Sequence, residues 1–164
     1  MSTLFLCGFM GCGKTTVGAL LAKEMGCNCI DMDAYIVEQA GKSIPEIFAE
    51  DGEPAFRQME AEAIVTLAQT PGVIACGGGA MLPKENADRA KQNGGTVVYL
   101  DVPFETCYAR IAGDTNRPLV QQNTKEQLEE IYNARVVKYK ANASVTIQAT
   151  GTPAEIIQTI LKTV

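Results

Sequence analysis

The stretch Gly8-Phe9-Met10-Gly11-Cys12-Gly13-Lys14-Thr15 constrains this chain more than any other. It satisfies the pattern G-x-x-x-x-G-K-[ST]. It follows an apolar run, Leu4-Phe5-Leu6-Cys7, and precedes a helical pattern that ends near Met25. The glycines let the backbone curl until several N–H groups face one concave nest, and a helix start behind the nest adds unpaired donors and positive dipole. Lys14 is expected to reach the β- and γ-phosphates of a nucleotide, and the Thr15 hydroxyl to ligate Mg²⁺. Gly11, Cys12, Gly13 and Thr16 are the neighbouring positions expected to line the phosphates. Such a motif needs a strand before it and a helix after it, so it demands an α/β fold.

The rest of the chain reads the same way. Short apolar runs at Thr3–Phe9, Cys27–Met32, Gly72–Cys76, Thr96–Asp101 and Ser144–Ala149 alternate with helical patterns. Runs of this length without strict alternation suit strands buried on both faces. This predicts a three-layer α/β domain, a parallel sheet with helices on both sides. With 164 residues and no linker, repeat or low-complexity tract, one domain spanning 1–164 is expected. Asp114–Thr124 is the one long polar segment, and it contains Arg117.

Net charge is −5, which disfavours nucleic acid and membrane surfaces as partners. An acidic protein that binds anions must concentrate its cations, and there are only five arginines: Arg57, Arg89, Arg110, Arg117 and Arg135. The first residues carry no basic leader, and no apolar run approaches the roughly 20 residues of a membrane span. A cytoplasmic protein is the resulting expectation. The six cysteines include no CxxC pair and there is no histidine, which argues against zinc and against a disulfide framework. Most are expected to be buried small hydrophobes. Cys12, at a helix start, is open to two readings: a buried thiol, or one activated by the helix dipole.

Asp31-Met32-Asp33 is expected to end the second strand. Strand periodicity places both carboxylates on one side, at the carboxyl edge of the sheet where ligands of open α/β folds bind. The run ending at Cys76 offers no acid for a metal. Asp31 is therefore the candidate for the Mg²⁺ shell, through water, and Asp33 the candidate to accept a proton from a substrate hydroxyl. Either could instead cap the next helix. Gly77-Gly78-Gly79, three residues that each cost backbone entropy, suggests backbone approached closely by a polar substrate.

Taken together, these blocks resemble the shikimate kinase family along nearly the whole chain. The phosphate motif, Asp31-Met32-Asp33, the stretch from Gly41 to Glu60 with Phe56-Arg57, Gly77-Gly78-Gly79, Arg117-Pro118-Leu119, and Arg135 with Tyr139 fall in the family's order. One departure is Val137, near which the family often has proline. The resemblance implies a nucleoside-monophosphate-kinase-like fold with a five-stranded parallel sheet. It implies ATP-dependent phosphorylation of the 3-hydroxyl of shikimate. A substrate-binding segment would span about 33–61 and a lid about 114–124. Asp33 would hold the accepting hydroxyl; Arg57, Gly78, Gly79 and Arg135 would bind shikimate. Arg117 would close over the phosphates and join Lys14 and Asp33 in catalysis, while Arg110 and Pro153 would flank adenine. A monomer is expected. The alternatives are a gluconate kinase or another small-molecule kinase of the same fold, and a non-catalytic ATP-binding module.

Overall fold

The apolar run before the phosphate motif forms β1 (Thr3–Cys7), buried at every residue. Its side chains alternate between two layers: Leu4 and Leu6 enter one apolar cluster, Phe5 and Cys7 the other. The computed structural model describes residues 2–164. Its other strands are β2 (Cys29–Asp31), β3 (Gly72–Ala75), β4 (Gly95–Asp101) and β5 (Val145–Gln148). They form one five-stranded sheet in the order β2-β3-β1-β4-β5, and every neighbouring pair is parallel. The expected three-layer architecture is therefore present.

The helices are α1 (Lys14–Met25), α2 (Met32–Ala40), α3 (Ile44–Glu50), α4 (Glu53–Ala68), α5 (Lys84–Gln92), α6 (Phe104–Ile111), α7 (Pro118–Gln122), α8 (Lys125–Asn142) and α9 (Pro153–Thr163). Val17 and Leu21 of α1, Cys107 of α6 and Ile160 of α9 cover the Leu4 and Leu6 face. Ile36, Ile47, Ile64 and Ala87, from α2 to α5, and Tyr139 of α8 cover the Phe5 and Cys7 face. Local chemistry sets several boundaries. Ser43 with Glu46 and Thr124 with Gln127 form reciprocal capping boxes at the starts of α3 and α8. Thr152 caps α9 just before Pro153.

Three expectations need correction. The two outer strands are not buried on both faces: β2 and β5 are largely exposed or half-exposed, because an edge strand has a neighbour on one side only. The second strand stops at Asp31, so Asp33 lies in the first turn of α2, not in a strand. The strand-period argument for pairing these carboxylates therefore does not apply. The polar segment 114–124 is not wholly loop, since Pro118–Gln122 forms the short helix α7, with proline suited to its first turn.

The connection topology fixes where ligands can go. From β1 the chain crosses through α1 to β2, then returns to β3 beside β1; from β3 it crosses to β4 on β1's other side. The crossover after β1 lies on one face and α5, after β3, on the other. The carboxyl ends of β1 and β3 therefore part, opening the crevice that such a reversal produces. The phosphate motif and the glycine triplet leave from those two ends.

The first strand residue also holds the end of a helix. Thr3 is 1% exposed, and its hydroxyl lies within 2.6 Å of the Thr70 carbonyl and 3.1 Å of that of Ala68. Thr3→Val keeps the shape and strands those carbonyls. It should lower unfolding stability by about 1–3 kcal/mol, read from urea denaturation.

Candidate active site

The phosphate loop is shaped by close packing as much as by flexibility. Gly11 has φ +79°, and a Cβ there would meet the Cys107 carbonyl at 2.8 Å. Gly13 is the residue before α1 and supplies no side-chain cap, so the first-turn amides of α1 keep their donors for a ligand. The Lys14 ammonium donates to the Gly8 and Phe9 carbonyls. Arg110 donates to the Gly11 carbonyl at 2.8 Å, which ties α6 to the loop. Gly11 to Thr16 line a cleft of about 410 Å³ with Asp31, Asp33, Gly77, Gly78, Arg110 and Arg117. Arg110 and Pro153 both line a smaller hollow of about 170 Å³ with Cys12, Gly13 and Thr16. The sequence-expected phosphate and adenine residues are thus neighbours.

Cys12 takes the first of its two readings. Its side chain is 2% exposed and packs where Gly8 has none, which leaves the thiol buried. Cys7, Cys76 and Cys107 are buried as well, whereas Cys27 is half-buried and Cys29 exposed.

Asp31 does double duty at the end of β2. One carboxylate oxygen accepts the Ala34 amide at 2.9 Å and caps α2. The side chain also faces the cleft that contains the exposed Thr15 hydroxyl. No group of three or more acidic, cysteine or histidine side chains that could cage a metal exists among the described residues. That donor set suits Mg²⁺, which keeps several waters and binds through one or two protein oxygens plus substrate phosphates.

The glycine triplet carries the densest chemistry. None of its three residues has a positive φ, so turn geometry does not require glycine there. Space does. A Cβ on Gly77 would lie 2.7 Å from both carboxylate oxygens of Asp33. A Cβ on Gly78 would lie 3.2 Å from a guanidinium nitrogen of Arg135, and one on Gly79 3.6 Å from Arg57. Each glycine thus faces one charged side chain, from α2, α8 and α4 respectively. Burial is the main force raising the Asp33 pKa, aided by the negative charge of Asp31 and opposed by Lys14 and Arg57.

Sequence reasoning missed the residue that holds Arg57. Glu60, one helical turn on, is 2% exposed and accepts from Arg57 at 3.1 Å. It also accepts from the buried Asn86 amide at 3.1 Å, and Asn86 donates to the Ala80 carbonyl at 2.9 Å. Burial pushes the Glu60 carboxyl up and Arg57 opposes it. The i,i+3 spacing of Arg57 and Glu60 was the available signal. Arg89, which lies outside the clefts, closes this network by donating to Asn86 at 2.8 Å.

A second cleft, of about 1,120 Å³, lies between α3 and α7. Ile44 and Phe48 form one wall, Pro118 and Leu119 the other, and Gly79 and Arg135 belong to its base. Asp33, Gly78, Met10 and Arg117 line both this cleft and the phosphate cleft. Arg117 is half-exposed and pairs with Asp114 at 3.0 Å. A carboxylate and a mobile-length cation therefore stand at the junction of a phosphate cleft and a second, partly apolar one.

This fold and this junction define a phosphate-loop kinase of nucleoside-monophosphate-kinase-like architecture, built to bring a nucleotide phosphate against a second small molecule. The sequence model of the family described as Shikimate kinase matches residues 10–164. A shikimate kinase of Psychrobacter cryohalolentis is 44% identical over 153 residues, covering 92% of this chain and 81% of that protein. The structure of shikimate kinase from Acinetobacter baumannii in complex with shikimate superimposes with a TM-score of 0.86 at 37% identity, covering 99% of this chain and 92% of that one. The chain belongs to the shikimate kinase family. A gluconokinase from Sinorhizobium meliloti shares the fold alone, with a TM-score of 0.59 at 21% identity over 98% of this chain and 89% of that one.

The contacts over the triplet separate its members. Gly77→Ala should push the Asp33 carboxylate aside and lower kcat at least tenfold. Gly79→Ala meets ordinary van der Waals distance and should stay within about threefold of the parent. Steady-state kinetics on the two variants checks this, and equal effects would contradict the steric account.

Proposed function

We propose that this chain transfers the γ-phosphoryl group of ATP to the 3-hydroxyl of shikimate, giving shikimate 3-phosphate and ADP on the route to chorismate and the aromatic amino acids. One observation carries the reading: Asp33, Arg57 and Arg135 converge over the glycine triplet at the edge of the phosphate cleft, in a chain of the shikimate kinase family. Shikimate offers a carboxylate and three hydroxyls to two guanidinium groups and a carboxylate, and charge-assisted bonds of this kind contribute about 1.5–3 kcal/mol each.

In this mechanism the substrate-binding segment, about 33–61, and the lid, about 114–124, enclose the acceptor. Arg57, Arg135 and the Gly78–Gly79 backbone hold shikimate. Asp33 orients the 3-hydroxyl and takes its proton as the oxygen bonds to the γ-phosphorus and the bond to the β–γ bridging oxygen breaks. Gly11 to Thr16 cradle the phosphates, with Lys14 and Arg117 balancing the charge that develops on the γ-oxygens and the leaving oxygen. Arg110 and Pro153 flank adenine. Thr15, with Asp31 through water, would hold Mg²⁺, which neutralises phosphate charge when bound. The raised pKa of Asp33 makes it a stronger proton acceptor than an exposed aspartate. The net charge of −5 supports a protein with no nucleic-acid or anionic-membrane partner. No helix among the described residues is long and apolar enough to cross a membrane. The chain is expected to act as a cytoplasmic monomer. A gluconate kinase and a non-catalytic ATP-binding module are the rival readings. Coupled assay of ADP formation with shikimate, gluconate and nucleoside monophosphates distinguishes them: acceleration by shikimate alone is expected, and ATP consumption unmoved by any of them would leave only a binding role.

Two further outcomes follow from this assignment. Asp33→Asn should lower kcat by about 10²–10⁴-fold with ATP binding retained. For the parent, kcat/KM should fall as pH drops through a value above the ordinary aspartate value of 3.8, where Asp33 becomes protonated. The stability linkage has the opposite sense. A carboxyl whose pKa is raised by folding costs stability as pH rises from its unfolded value through its folded one. The melting temperature of Asp33→Asn at neutral pH should therefore not fall below the parent's, although its activity collapses.

The arginines should divide by role. Arg135→Ala should weaken shikimate binding about ten- to a hundredfold and leave the ATP constant unchanged. Arg57→Ala should do the same with a lowered melting temperature, because it strands the buried Glu60. Arg117→Ala should lower kcat instead, since a cation over the transferring group acts most in the transition state. Titration of each variant with both substrates checks the division, and three equal effects on ATP would overturn the acceptor-site assignment.

A further inference from the structure

The irregular segment after β3 is pinned from behind by side chains rather than by a strand partner. Asn86 of α5 donates to the Ala80 carbonyl. Asn142 of α8 donates to the carbonyls of Met81 and Leu82, each at 2.9 Å. Tyr139 of α8 donates its hydroxyl to the Gly78 carbonyl at 2.6 Å. The Gly77 and Gly79 carbonyls take turn bonds from the Ala80 and Leu82 amides. Among the described residues, the Gly78 carbonyl has Tyr139 as its one hydrogen-bond donor.

The Tyr139 ring is placed to hold that bond rigidly. It is 1% exposed and stacks on Tyr99 of β4, with ring centroids 5.2 Å apart and planes at 26°. Arg135, one helical turn before Tyr139, rests over the same glycine from the cleft side.

Peptide planarity turns this bond into a statement about the substrate site. In a trans peptide the carbonyl oxygen of one residue and the N–H of the next point in opposite directions. Tyr139 draws the Gly78 carbonyl inward, toward α8. The Gly79 N–H then points away from the Tyr139 hydroxyl, in a segment where Gly78, Gly79 and Arg135 line the second cleft.

We propose that Tyr139 is a positioning residue for the acceptor substrate: its hydroxyl fixes the Gly78–Gly79 peptide so that the Gly79 N–H is presented as a hydrogen-bond donor beside Arg135. This deepens the proposed function and rests on it. Tyr139 touches neither substrate nor phosphate; its hydroxyl acts through the Gly78–Gly79 peptide plane and also neighbours the Arg135 guanidinium. With the hydroxyl gone, that plane is free to rotate, and the donor is lost for part of the time.

Tyr139→Phe is the test, because it removes one oxygen and keeps the ring and its stack. The expected result is about a tenfold rise in KM for shikimate, with the ATP constant unchanged and kcat within about threefold. Amide hydrogen exchange without substrate should speed up at 78–82 and not across the sheet. Tyr99→Phe, which loses a hydroxyl aimed at Asp101 and none at the loop, should keep the parent constants. Unaltered shikimate KM in Tyr139→Phe with a lowered melting temperature would assign Tyr139 to packing only and overturn the proposal. Equal KM rises for both substrates, or the same defect in Tyr99→Phe, would overturn it too. Absence of shikimate turnover in the parent protein would overturn the proposed function and this inference together, so the two failures are distinguishable.

Discussion

Asp33, Arg57 and Arg135 occupy the few ångströms above Gly77, Gly78 and Gly79, and much of the molecule exists to hold them there. Charged groups brought that close to backbone lose solvent, and each must be compensated or anchored. Asp33 is only partly compensated, and burial, aided by Asp31, raises its pKa. Arg57 is anchored more firmly, by a carboxylate that is itself buried and held by Asn86. The glycines are the passive half of the arrangement. At Gly77 above all, what matters is the volume left to a neighbouring side chain, since none of the three has a positive φ.

The sheet decides which loops can share this space. Because the chain reverses its direction of winding between β1 and β3, the loops after those strands face one crevice. One loop carries the glycine-rich phosphate motif, the other the glycine triplet. Asp33, the second residue of α2 and two past Asp31 at the end of β2, reaches the same junction. Two functions that lie far apart in sequence thus meet without either loop being long.

Charge follows the same economy. An acidic protein that handles a nucleotide and a carboxylate has to gather its cations. Arg110, Arg117 and Arg135 line the clefts, and Arg57 lies beside Gly79, a residue of the second cleft. Arg89 sits behind them and steadies Asn86, so even the remaining arginine serves the site at one remove. Among the described residues no buried side-chain polar atom lacks a hydrogen-bond partner, as the density of buried asparagine, threonine and glutamate in this region requires.

Much of this was determined by the sequence alone. The phosphate motif has a mechanism that works only between a strand and a helix, so Gly8 to Thr15 announced both fold class and chemistry. The apolar runs placed five strands, and the resemblance carried by blocks in register pointed to the family. What local pattern could not decide was anything set by neighbours distant in sequence. For Asp31 and Asp33 the sequence left strand alternation and helix capping both open, and the fold shows Asp31 ending the strand as the cap of α2. Glu60, Asn86 and the Tyr139 hydroxyl are ordinary helix residues until α4, α5 and α8 are packed around one loop. The outer strands looked like the inner ones because apolar content does not encode position in a sheet. Cys12 had two readings until packing closed solvent away from it. In each case the deciding quantity was a distance between elements, and a distance of that kind exists only once the chain has folded.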